Sequence, residues 1–219
     1  MVDFSPDTFR KSIELGVELA KVKYLLFTHT HSDHFYLNDL KFRYPPFVKH
    51  NLQTLQIYGS EYAIKLVRKT FKGSARKCRI RSKALKLFEE HKIGRYKVIP
   101  VKAKHITNSP VETPLNYIID VNGKTILLAF DTGLYDEGTW SFLRKFSFDL
   151  AIVEGTLCYD SWEYHMNFND LKIFRRRVGA EEIIVTHFSH HSCPLHDKLE
   201  KILEAIGLKT AFDGLRVQI

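Results

Sequence analysis

Tyr24-Leu25-Leu26-Phe27-Thr28 is a short, nearly continuous apolar run that ends in a polar cluster, the pattern of a buried strand delivering its C-terminal loop to a site. Leu55-Gln56-Ile57-Tyr58 repeats it, and Gly59-Ser60 then supplies a turn and a helix N-cap. Ala63, Leu66, Val67 and Phe71 follow at helical spacing, so a βα unit is expected. Tyr96 to Val101 predicts another strand. Asn116 to Val121, Asn122-Gly123 and Lys124 to Phe130 predict a hairpin, because Asn-Gly supplies the two positive-φ residues of a type I′ turn. Asp149 to Val153 and Glu182 to Val185 predict two more strands, with a helix over Asn169 to Val178 between them and a last helix over His196 to Ala205. Phe71 to Arg81 carries no firm period and is expected as an exposed loop.

The chain has 219 residues, 44% hydrophobic and 26% charged, which excludes disorder and suits one α/β domain over residues 1–219. No apolar run approaches the roughly 20 residues of a membrane span, and the N-terminus lacks the apolar core of a signal peptide. Cys78, Cys158 and Cys193 are odd in number and form no close-spaced pair, so neither a disulfide framework nor a cysteine zinc site is expected. A cytoplasmic protein with no membrane partner follows. The formal charge of +8 is concentrated: ten Lys or Arg and no acid lie between Lys65 and Lys86, with a second knot at Arg175-Arg176-Arg177. Such a stretch can capture phosphate-bearing substrates or nucleic acid, and it can equally be a solvated helix face.

Histidine is the unusual residue. His29-Thr30-His31-Ser32-Asp33-His34 places three imidazoles and a carboxylate within six residues, directly after a buried strand. Imidazole and carboxylate suit a borderline divalent cation, and the short spacing keeps all four groups from meeting one ion, so two ions sharing the loop are expected. Further candidates each lie just past an expected strand: His105, Asp131 and His187. Asp131 can bridge two cations, and a hydroxide held between ions about 3.5–4 Å apart is a strong nucleophile near neutral pH. Hydrolysis suits that arrangement.

The pattern H-x-H-x-D-H followed by a distant His, Asp and His resembles the metallo-β-lactamase-fold hydrolases over nearly the whole chain. The resemblance implies an α/β fold, an αββα sandwich of two mixed sheets flanked by helices, here with shortened N-terminal strands. It implies one metal on His29, His31 and His105, a second on Asp33, His34 and His187, and Asp131 bridging both. Thr186-His187-Phe188-Ser189-His190 and Phe212-Asp213-Gly214-Leu215 look like the PhnP-like phosphodiesterase branch, related to ribonuclease Z; Leu37-Asn38-Asp39-Leu40 adds to the likeness. That branch carries an extra histidine, matched here by His165, and an acidic-x-Thr element, matched by Glu154-Gly155-Thr156. The resemblance implies a catalytic set of His165, Glu154 and Asp33, with Glu154 orienting an imidazole whose ordinary pKa of about 6.5 suits proton transfer. The implied cofactors are two divalent ions, zinc or manganese, with iron as a third candidate.

The pattern also departs from the family. Only 28 residues precede His29 where several strands are usual, and Val2 to Arg10 resembles a strand end and an Asp-x-x-Pro-Asp turn without what should come before, so either a truncated open reading frame or a trimmed fold is expected. The cysteines that would hold a structural zinc with His190 are absent, which leaves His190 either a structural ligand whose partners are missing or, as the favoured reading, an ordinary polar residue; His50, His91, His191 and His196 are read as surface or supporting residues. A small, cyclic phosphodiester is the expected substrate. A ribonuclease Z-like RNA endonuclease is the alternative, opposed by the 25 residues between His105 and Asp131, which leave little room for an RNA-gripping arm. Thioester or lactone hydrolysis, an inactive relic and a nucleic-acid-binding module remain open.

Overall fold

The computed structural model describes residues 1–48 and 52–219, so the reading of His50 lies outside the described residues. The chain forms two compact units, one of residues 1–86 with 107–115, the other of residues 87–106 with 116–219.

In the first unit, α1 (Thr8–Glu14) precedes β1 (Tyr24–Leu26), β2 (Leu55–Gly59), α2 (Glu61–Thr70) and β3 (Ile80–Ala84). The three strands form a parallel sheet in the order β1-β2-β3. The expected βα unit is present: Ser60 Oγ accepts the Ala63 amide at 3.2 Å, capping α2, and Ala63, Ile64 and Val67 are buried. Phe4, Leu25, Phe27, Leu55, Ile57, Ile64, Val67 and Phe71 build its core. The expected exposed loop at Phe71 to Arg81 is corrected in part, because Phe71 and Cys78 are buried and β3 begins inside it.

The second unit contains β4 (His91–Ile93), β5 (Tyr96–Lys102), β6 (Leu115–Val121), β7 (Lys124–Ala129), α3 (Glu137–Leu143), β8 (Phe148–Glu154), α4 (Phe168–Val178), β9 (Ala180–Thr186), α5 (His196–Glu204) and β10 (Lys209–Thr210). Leu115 alone of these belongs to the first unit. The sheet order is β10-β9-β8-β7-β6-β5-β4. The β6–β7 hairpin turns on Asn122 at φ 55° and Gly123 at φ 81°, both in the left-handed region the Asn-Gly pair predicts. Strands β7 to β10 run parallel, joined through α3, α4 and α5. Asn167 and Asp170 form a capping box at the start of α4, and Gly179 at φ 67° ends it. The arginine knot falls in the last turn of α4, where Arg177 pairs with Glu137 at 2.6 Å and lies 4.5 Å above the Trp140 ring. Val101, Leu127, Trp140, Phe148, Phe174 and Val185 are central in this core.

One reading is overturned. Cys158 and Cys193 form a disulfide across a Cα–Cα distance of 5.3 Å, although 35 residues separate them in sequence. Sequence spacing does not limit a pair that the β8 and β9 loops bring side by side. The bond removes one ground for expecting a cytoplasmic compartment. Among the described residues, no helix is long and apolar enough to cross a membrane.

Candidate metal centre

In the first unit, β1 ends at Leu26 and the chain runs through Phe27 and Thr28 into the histidine loop. His29 is buried, with Nδ1 2.9 Å from Thr28 Oγ1 and Nε2 2.9 Å from His31 Nδ1. His34 is also buried; its Nδ1 lies 2.7 Å from Asp3 Oδ2 and its Nε2 lies 3.4 Å from Asp33 Oδ2. The rings of His31 and His34 sit 4.5 and 4.4 Å from that of His29. All four predicted loop residues are therefore gathered in one place. Asp3 also accepts the amide and hydroxyl of Thr28, each at 2.8 Å. Burial raises its pKa, opposed by His34 and Thr28.

A second clamp holds the loop from the segment Thr107–Leu115. Thr30 donates its hydroxyl to Glu112 Oε2 at 2.6 Å and its amide to the same carboxylate, while Asn108 Nδ2 donates to the Thr30 carbonyl at 3.3 Å. Leu115 donates its amide to Thr28 O at 2.8 Å. Glu112 is buried, and burial raises its pKa.

In the second unit the parallel neighbours β7, β8 and β9 end along one sheet edge, which is why Asp131, Glu154 and His187 meet there despite their separation in sequence. Asp131 is buried at φ 41°, and its two oxygens face different imidazoles: Oδ2 is 3.7 Å from His105 Nε2 and Oδ1 is 3.2 Å from His187 Nε2. The other nitrogens of these rings meet oxygen, His105 Nδ1 at the Tyr164 carbonyl (3.3 Å) and His187 Nδ1 at Thr156 Oγ1 (2.8 Å). His165 lies between them, 4.8 Å from the His105 ring and 6.2 Å from the His187 ring, parallel to the latter within 9°. Its Nδ1 is 2.9 Å from Glu154 Oε1.

His29, His34, His105 and His187 share the features of ligating histidines: one nitrogen anchored on an oxygen, the other turned toward a neighbouring donor. A carboxylate that shows one oxygen to each of two imidazoles suits a bridge. The donor set, imidazole and carboxylate without thiolate, fits a divalent cation. His190 is exposed with its ring 4.9 Å from that of His191. The sequence pattern does not single out Asp3, Thr28 and Glu112, which anchor the predicted ligands and their loop, and it marks Thr156 only as part of the acidic-x-Thr element. Asp3 is 31 residues from His34 and Glu112 is 82 from Thr30, so no local spacing announces them.

The sequence profile of the Beta-lactamase superfamily domain matches residues 1–188. The chain belongs to that superfamily. Its two sheets and five α-helices, counted among the described residues, match solved metallo-β-lactamase-fold superfamily members. A diphosphatase of the PhnP family is 20% identical at TM-score 0.78, covering 100% of this chain and 79% of that one. YhfI from Bacillus subtilis is 23% identical at TM-score 0.78, with 98% and 85% covered. Human tRNase Z, short form, is 16% identical at TM-score 0.65, with 87% and 82% covered. No curated protein matches this superfamily member in sequence. The fold family is one of metal-dependent hydrolases.

Proposed function

We propose that the chain is a dinuclear metal-dependent phosphodiesterase acting on a small or cyclic phosphodiester. The observation that carries this reading is the Glu154–His165 pair at 2.9 Å, whose imidazole neighbours those of His105 and His187. An acid–base imidazole beside candidate ligands suits an ester whose leaving oxygen needs a proton. The similarity to a PhnP-family diphosphatase supports phosphate over thioester or lactone.

In this reading His29, His31 and His105 hold one cation, Asp33, His34 and His187 the other, and Asp131 serves both; zinc and manganese are the favoured ions and iron the third. Bound cations supply Lewis acidity and a lowered pKa for water. The protein's own groups do the rest. Glu154 keeps Nδ1 of His165 protonated, so Nε2 is the atom that gives a proton to the leaving oxygen. Asp3 and Thr156 fix the ring planes of His34 and His187. Asp33, the most exposed of the set with 65% side-chain exposure, can adjust to an incoming substrate. A cytoplasmic setting belongs to the same proposal.

The test is turnover of bis-p-nitrophenyl phosphate and 2′,3′-cyclic nucleotides with metal content measured on the same preparation. Two metals per chain with turnover support the reading. Two metals with no phosphodiester turnover overturn it.

A second reading, RNA cleavage, draws on the basic stretch. All ten of its cations are exposed. Lys65, Arg68, Lys69 and Lys72 follow i, i+3, i+4, i+7 spacing along α2 and just past it, and Arg81 and Lys83 alternate outward on β3. The apolar face of α2 is buried, which suits a soluble polyanion more than a lipid surface. RNA affinity that falls steeply with salt, together with precursor tRNA cleavage, would favour it. Salt-insensitive or absent binding would remove it.

A further inference from the structure

The chain has two tryptophans in opposite settings: Trp140 is fully buried, and Trp162 is 48% exposed. Trp162 lies in the turn that leads into His165. Its carbonyl accepts the His165 amide at 3.2 Å, and its indole centroid is 5.6 Å from the imidazole at an interplanar angle of 37°. Tyr164 stands edge-on to the indole at 5.4 Å and 79°.

Neighbouring contacts hold this turn down. Glu163 pairs with Lys104 at 3.1 Å, one residue before His105. Asn167 Nδ2 donates to the Asp160 carbonyl at 2.9 Å. At Gly133 the backbones approach so closely that a Cβ would lie 1.8 Å from the Glu163 carbonyl oxygen. The backbone of the turn is thus anchored, and the indole lies beside the acid–base imidazole with about half of its surface open, 48% of the residue being exposed.

We propose that Trp162 is the stacking platform for a planar aromatic ring carried by the substrate's leaving group, a nucleobase being the ring that fits a phosphodiester. The proposal rests on the reading of His165 as the group that protonates the leaving oxygen. Whatever is attached to that oxygen must lie against the residues flanking His165, and Trp162 offers a flat, electron-rich face there. The substrate class sharpens from small phosphodiesters in general to esters of nucleosides.

Two readouts separate this proposal from the function beneath it. Tryptophan emission is titrated with adenosine 5′-monophosphate in the wild type and in Trp162→Ala. Saturable quenching in the wild type and none in the variant, whose emission then comes from buried Trp140, is the expected result. Kinetics compare 2′,3′-cyclic AMP with glycerophosphocholine, a diester without a ring. The kcat/KM ratio between them falls roughly five- to hundred-fold in Trp162→Ala, the range seen when a base-stacking aromatic is removed, and Trp162→Phe restores most of it. An unchanged ratio, or quenching that survives in Trp162→Ala, overturns the platform. Quenching that behaves as expected in a protein that hydrolyses no phosphodiester leaves the platform standing and removes the phosphodiesterase.

Discussion

Glu154 holds His165 through its Oε1, 2.9 Å from Nδ1, and the same oxygen accepts the amides of Thr132 and Met166 at 3.1 Å each. The other oxygen takes the amide of Thr156 at 2.8 Å, and the Thr156 hydroxyl meets Nδ1 of His187 at 2.8 Å. One fully buried carboxylate therefore orients two imidazoles, one directly and one through a threonine.

His165→Ala removes the proton carrier and leaves every proposed ligand in place. Turnover of bis-p-nitrophenyl phosphate should fall by about 10²–10⁴-fold with metal content unchanged. Steady-state kinetics and elemental analysis check this together; wild-type turnover in the variant takes His165 out of the reaction.

Asp3→Ala removes the oxygen that anchors His34 Nδ1 at 2.7 Å. Metal affinity should drop about 10–100-fold, as when other outer partners of ligating histidines are lost. Competition with a chelating dye measures it, and unchanged retention would deny Asp3 that role.

Glu112→Gln tests the clamp on Thr30. Burial raises the folded-state pKa of Glu112, so the neutral form is favoured by folding. Its contribution to stability is full below the ordinary glutamate pKa and is lost as pH rises through the raised value. Replacing it with an uncharged amide should flatten that part of the profile above the ordinary glutamate pKa. Urea unfolding at a series of pH values reads the slope; identical slopes in the two proteins would contradict the assignment.

Breaking the disulfide, by dithiothreitol or by Cys193→Ser, should cost about 2–4 kcal/mol of stability through the loop it closes. Thermal melts with and without reductant measure this. Equal melting temperatures would show that the two thiols are unlinked in solution.

Much of the fold is legible along the chain where the signal is local. The β6–β7 hairpin follows from one Asn-Gly pair between two strand-forming runs, and β1 follows from a nearly continuous apolar run. β3 was hidden because only Ile80 in it is buried while Arg81 and Lys83 point to water, so its sequence reads as a charged loop. Helix α1 has seven residues with only Ser12 buried, too little apolar period to announce it. The Cys158–Cys193 bond was hidden by its 35-residue spacing.

The sequence alone determined the chemistry of the donors: which residues are imidazoles and carboxylates, and that His29 to His34 leave a buried strand together, because covalent neighbours cannot part. Tertiary structure alone decided what each ring leans on. Asp3 reaches His34, Tyr164 reaches His105, and Glu112 reaches Thr30 across 31, 59 and 82 residues of chain. Hydrogen bonds act over about 3 Å of space, and at such separations only the packed fold sets that distance.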